Sequence, residues 1–246
     1  MKSFDIFEHH TLNLGPHFGS SSSFWIVNID TIIYTLIVLA ILGTLIPLAR
    51  ISLKKPDTVH GYITETFVRM IMQTVTQSLE HFTYRHCAFI GSLFTYIFLC
   101  NVVVLLPFME EPTKDLNTTI ALALISFVYV QSEGIRAHGL LGYLKELCKP
   151  IFVFFPLEVL GKLATIVSLS FRLFGNIFGG SVIGTMWKQA ISGSILTQTI
   201  GLLCGINLII MLFFGVFEGL IQAFVFSILS LTYLSMTIAK HDEHEA

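Results

Sequence analysis

Four ionisable side chains, Glu158, Lys162, Arg172 and Glu218, fall inside long apolar runs of the sequence. An arginine at mid-membrane costs about 2.5–3.5 kcal/mol on insertion scales, and its guanidinium keeps its charge at any physiological pH. Arg172 is therefore a fixed cation that requires a carboxylate, a carbonyl, water or a partner protein beside it. It lies midway between Glu158 and Met186, a position that fits snorkelling to an interface poorly. On a helix, Glu158 returns to within about 40° of the arginine's face some 21 Å away, and Asn176 extends the stripe one turn further. Lys162 is at i+4 from Glu158, so either the two neutralise each other or Lys162 has a role of its own. Downstream, Glu218 and Gln222 place an acid and an amide on one face of another apolar segment. A polar stripe on each of two helices is the pattern of an ion path inside a membrane.

The remaining sequence fits that setting. Of 246 residues, 54% are hydrophobic and 12% charged, against about a quarter charged in soluble domains. Mean hydropathy is +0.77. A water-soluble globule is excluded. The 14 Lys and Arg against 16 Asp and Glu give net charge −2 and no basic stripe, so no nucleic-acid partner is expected. Cys87, Cys100, Cys148 and Cys204 are widely spaced without CxxC or CxxH patterns, which supports neither a disulfide framework nor a metal site. His9, His10, His17, His60, His81, His86, His138, His241 and His244 all fall outside the predicted spans, which argues against an intramembrane metalloenzyme. No Walker loop, nucleotide fingerprint or catalytic triad is present; the chain is expected to be non-catalytic by itself and to need no cofactor. The polar stretch from Met1 to Ser23 does not read as a cleavable signal peptide.

A bilayer core needs about 20 apolar residues as helix, and charge-free runs give about five crossings in one integral membrane domain, 1–246. Residues 1–23 read as an extracytoplasmic segment, 24–49 as the first span and 50–86 as cytoplasmic or interfacial. The second and third spans occupy 87–131, as Cys87–Met109 and Leu116–Gln131, before a cytoplasmic connector at 132–150. A long helix pair fills 151–239, and 240–246 is a cytoplasmic tail. Leu157–Met186 and Ile195–Ile238 would be about 45 Å and 66 Å long as helices, more than a ~30 Å core takes. They must tilt steeply as a hairpin, bend or break; a turn near Gly215 that makes two vertical helices of the latter stays open. Glycines four apart (Gly175 and Gly179, Gly180 and Gly184, Gly201 and Gly205, Gly215 and Gly219) are expected to bring the pair close. The fold class is thus an all-α polytopic membrane protein. Lys and Arg mark cytoplasmic loops, here Arg50, Lys54, Lys55, Arg69 and Arg85, then Arg136, Lys145 and Lys149. Five crossings put the amino terminus outside and the carboxyl terminus inside.

The run Ser170-Phe171-Arg172-Leu173-Phe174-Gly175-Asn176-Ile177-Phe178-Gly179-Gly180, then Leu220-Ile221-Gln222-Ala223-Phe224-Val225-Phe226 and Tyr233-Leu234-Ser235, resembles subunit a of the F-type ATP synthase membrane sector, bacterial type. His9-His10-Thr11-Leu12, Asn28-Ile29-Asp30-Thr31, Asn101, Leu106-Pro107, Asp115-Leu116-Asn117-Thr118-Thr119 and Pro156-Leu157-Glu158 extend the resemblance over nearly the whole chain. It implies a stator subunit in a bacterial inner membrane. Its partners would be the lipid bilayer, a rotating ring of c subunits, the peripheral-stalk b subunits and the rest of the synthase. Two half-channels would meet the ring at different points, with Arg172 between them favouring the ionised ring carboxylate. Asn176 and Gln222 would be its polar neighbours, and Glu158 would line the cytoplasmic half-channel.

Two positions depart from the family. Where it often carries an acid or histidine nine residues after the arginine, this chain has Ser181, and seven before the glutamine it has Gly215. Glu218, three residues on from Gly215, is expected to supply the missing outer relay group, against the alternative that it pairs with Arg172 or a polar neighbour. Glu110, Glu111, Asp115 and Asn117 are candidates for the outer entrance, where acids funnel cations; simple decoration of an outside loop is the competing reading. An autonomous secondary transporter is the alternative function, though its usual paired repeats with broken helices are not evident. The proton is the default coupling ion, with selectivity against sodium expected to reside in the ring.

Overall fold

Apolar segments in lipid must satisfy their own backbone groups and so become helices. Among the described residues, five helices are long and apolar enough to cross a membrane. The structure, a computed structural model, describes residues 11–13, 26–55, 57–79, 83–106, 109–147, 155–191 and 205–239.

A short antiparallel ribbon pairs Thr11–Asn13 with Ile26–Asn28 and leads into α1, Ile29–Leu53, whose Asp30 in the first turn and Arg50 in the last complement the helix dipole. Helix α2, Val59–Ser78, starts where the Thr58 hydroxyl accepts the Gly61 N–H, an N-cap bond. Helix α3, Tyr84–Val102, ends in a 3₁₀ turn at Val103–Leu105, and a second 3₁₀ turn, Pro112–Lys114, precedes α4, Leu116–Leu147. Helix α5 is Phe155–Ile191. The last helical run is α6, Ile206–Met211, a π-helical turn at Leu212–Glu218, and α7, Gly219–Ala239.

Three features differ from what the sequence predicts. Helix α3 begins at Tyr84, so His86 lies in its first turn, buried, with Nδ1 2.9 Å from the Tyr129 hydroxyl. His138 likewise lies within α4. Helix α4 continues past Gln131 because the charges there are satisfied inside the bundle: buried Glu133 accepts from Arg85 at 2.8 Å and from Arg136 at 2.7 Å. A buried carboxylate needs that pairing. The helix breaks instead at Gly139, with φ 70°, a left-handed conformation that glycine adopts without steric cost. Around Gly215 the chain neither turns nor continues as regular α-helix; the π-helical turn keeps 206–239 helical over about 50 Å.

The core joins α3, α4, α5 and α7 through Leu93, Phe94, Ile97, Leu122, Leu173 and Phe226. A second cluster, including Val75, Ile90, Val130 and Leu234, ties in α2. Buried hydroxyl pairs stitch α4 to its neighbours: Thr119 to Ser170 on α5 at 3.1 Å, and Ser126 to Ser230 on α7 at 2.7 Å.

The glycine spacing works differently from the sequence reading. A Cβ on Gly215 would stand 2.7 Å from Val104 Cγ1, and one on Gly219 2.5 Å from Asn101 Cβ. These two glycines therefore admit the end of α3, not α5. Gly180 meets Phe214, while Gly175, Gly179 and Gly184 have nothing within 4 Å; Gly201 lies outside the described residues. Gly219→Ala is accordingly expected to cost roughly 1–3 kcal/mol, as overpacking does. In a thermal-shift measurement of the purified protein it should lower the midpoint, and Gly179→Ala should not.

Candidate functional site

Helix α5 is anchored to α4 by buried Leu169, Ser170 and Leu173. Arg172, on the same turn, is exposed, and among the described residues it forms no ion pair. One turn further, Asn176 Nδ2 donates to Gln222 Oε1 at 2.7 Å, joining α5 to α7. Gln222 is 3% exposed, and its Nε2 is buried without a hydrogen-bond partner among the described residues. The two amides, expected as polar neighbours of the arginine, thus contact each other.

Two cavities flank this point. The first, about 220 Å³, lies between α4, α5 and α7, with Gln131, Tyr143, Glu158, Lys162, Thr165 and Tyr233 in its wall. The second, about 260 Å³, lies at the other end of the bundle and includes Asp30, Thr31, Tyr34, Glu110, Glu111, Asp115, Phe174 and Phe178. Along α5 the first cavity reaches Leu169 and the second begins at Phe174. Arg172 falls between them.

The second cavity is acidic. Burial pushes the Glu111 carboxyl up to about 7; nearby Lys114 opposes the rise, while the Glu110 and Glu218 carboxylates add to it. Glu111 therefore ionises as the pH rises through neutrality, and the cavity becomes more negative. Glu110 accepts from Lys114 at 3.4 Å. Asp115 also organises the local backbone, accepting the Asn117 backbone N–H at 3.0 Å at the start of α4, and Asn28 and Thr31 at 3.4 and 3.5 Å. Asn117 itself is exposed.

Glu218 ends the π-helical turn, half-buried, between the two glycines that pack on the end of α3. Among the described residues it forms no ion pair, with Arg172 or otherwise. Its carboxylate is felt electrostatically at Glu111. Ser181 turns its hydroxyl back to the Phe178 carbonyl at 2.8 Å, on the far side of α5 from Arg172 by helical phase. Glu158 is exposed in the wall of the first cavity. Sequence reasoning missed Gln131 and Tyr143. Tyr143 reaches Gln131 because the chain reverses at Gly139, one of three glycines in a segment of alternating glycine, charge and leucine, and nothing in the spacing marks which of them turns the chain.

A family model described as ATP synthase A chain matches residues 32–235. The ATP synthase subunit a of a Hydrogenobaculum species is 34% identical over 187 residues, covering 74% of this chain and 84% of the relative. That of Moorella thermoacetica is 33% identical over 212 residues, 86% of this chain and 92% of the relative. That of Aliarcobacter butzleri is 32% identical over 219 residues, 83% and 88%.

Proposed function

The chain belongs to the ATP synthase A chain family, a component of the ATP synthase, and on that basis we propose that it is the proton-translocating stator subunit of the membrane sector. The observation that carries this reading is the position of Arg172 on α5 between two cavities at opposite ends of the bundle. The second cavity is the outer half-channel, and its acids concentrate cations at the entrance. Glu218 relays protons from it toward the ring, in place of the family's groups at Gly215 and Ser181. The first cavity is the inner half-channel, with Glu158 in its wall.

Between them Arg172 supplies a permanent positive charge to each ring carboxylate that passes. An opposite charge a few ångströms away favours the ionised form. A protonated carboxyl arriving there gives up its proton to one cavity, and the deprotonated group moves past to the other. The Asn176–Gln222 bond fixes the spacing of α5 and α7 beside the arginine. The open positions at Gly175 and Gly179 leave the face around Arg172 low enough for a partner helix to approach.

In this reading the amino terminus lies outside and the carboxyl terminus in the cytoplasm of a bacterial inner membrane, and the chain has no catalytic step of its own. Its partners are the c ring, the b subunits and the remaining synthase. Purification from membranes under mild detergent tests it. A stoichiometric complex that contains the ring, and whose ATP-driven pumping is collapsed by a protonophore, is the expected result. A chain that purifies alone and binds a solute would support the transporter alternative.

A further inference from the structure

Lys162 is not needed to separate the half-channels, yet its ammonium is held in the first cavity by residues from another helix. It donates to the Tyr143 hydroxyl and, at 3.4 Å, to Gln131 Oε1, while the Tyr143 hydroxyl itself donates to Gln131. The arrangement exists because Gly139, at φ 70°, turns the end of α4 back upon itself. Tyr143 then lies over Gly134, where an added Cβ would stand 3.3 Å from its ring. The titratable groups that face the ammonium, among the described residues, are Glu158 on its own helix, Tyr143 on α4 and Tyr233 on α7.

We propose that Lys162 is a second fixed cation, positioned by Tyr143 and Gln131, that sets the pH at which the ring carboxylate exchanges protons with the inner cavity. This rests on reading that cavity as the inner half-channel. The physical reason is the potential of a charge in a confined space: an ammonium in a narrow, partly aqueous cleft lowers the local proton activity. Lys162 is about 15 Å from Arg172 along the helix axis. A unit charge at that distance, with an effective dielectric constant of about 40, moves a protonation midpoint by about 0.4 pH unit. Removing the cation stabilises the protonated acid, so the midpoint for proton uptake from the cytoplasm rises.

The test is ATP-driven proton pumping by inverted membrane vesicles carrying the complete synthase, measured against the pH of the medium, which is the cytoplasmic face. Lys162→Gln and Lys162→Met should both shift the alkaline limb upward by about 0.4 unit, and Lys162→Arg, which keeps the charge, should hold the parent position. A purely structural lysine would lower the rate equally at every pH without moving the limb, and that result overturns the proposal. Met236→Cys, in the same cavity wall, separates this failure from that of the underlying reading. If an impermeant thiol reagent at the cytoplasmic face blocks pumping beyond its effect on the unsubstituted complex while the Lys162 variants leave the limb in place, only the role of Lys162 fails. If the reagent does not block, the half-channel reading fails and the proposal with it.

Discussion

Arg172→Ala is expected to lower proton-driven ATP synthesis at least about 100-fold and to raise passive proton flux through the membrane sector. A unit charge about 4–5 Å from a carboxylate, at an effective dielectric constant near 20, is worth about 3–4 kcal/mol, or between two and three pH units. In the proposed mechanism, the ring carboxylate passing α5 without that charge stays protonated and carries its proton from one cavity to the other, so the gradient dissipates without enforced release. The two effects have one cause and should appear together. Both are measurable in the same membranes, as ATP synthesis under an imposed gradient and as proton flux driven by a potassium diffusion potential after the catalytic sector is stripped. Loss of synthesis with no rise in flux would mean that Arg172 acts by holding the complex together.

Glu218→Gln is expected to lower synthesis by about two orders of magnitude, the scale of a lost proton-transfer group, without raising passive flux. Gly215 has no side chain to carry a proton, and the Ser181 hydroxyl is turned into its own helix. Glu218 is close enough to the acidic cavity to help raise the Glu111 carboxyl to about 7. Glu218→Asp keeps the carboxyl and should retain part of the activity. Unchanged proton-driven synthesis in vesicles of the glutamine variant would remove Glu218 from the path.

The crossings and the central polar residues were legible in the sequence for a simple reason. Long apolar runs in lipid have few structural options, and an arginine in the middle of one stands out against them. What was not legible depended on contacts between distant segments. The spacing of Gly215 and Gly219 announced close packing but not the partner, which is α3 through Asn101 and Val104. The charges at Glu133 and Arg136 looked like the end of a span until Arg85, far away in sequence, completed their network. A π-helical turn has no compositional signature, so Leu212–Glu218 could be anticipated only as a place where an overlong helix had to yield. Asp115 shows the converse: an acid marked for the channel entrance also caps α4, a role that spacing alone does not distinguish.

The proposed division of the path into two cavities that open on opposite sides of the membrane is tested most directly by sided labelling. Thr165→Cys places a thiol in the wall of the first cavity and Thr31→Cys one in the wall of the second. With the assembled synthase in right-side-out and inverted vesicles, an impermeant thiol reagent should modify position 165 only from the cytoplasmic face and position 31 only from the outside. Modification of both from the same side would contradict a path divided at Arg172.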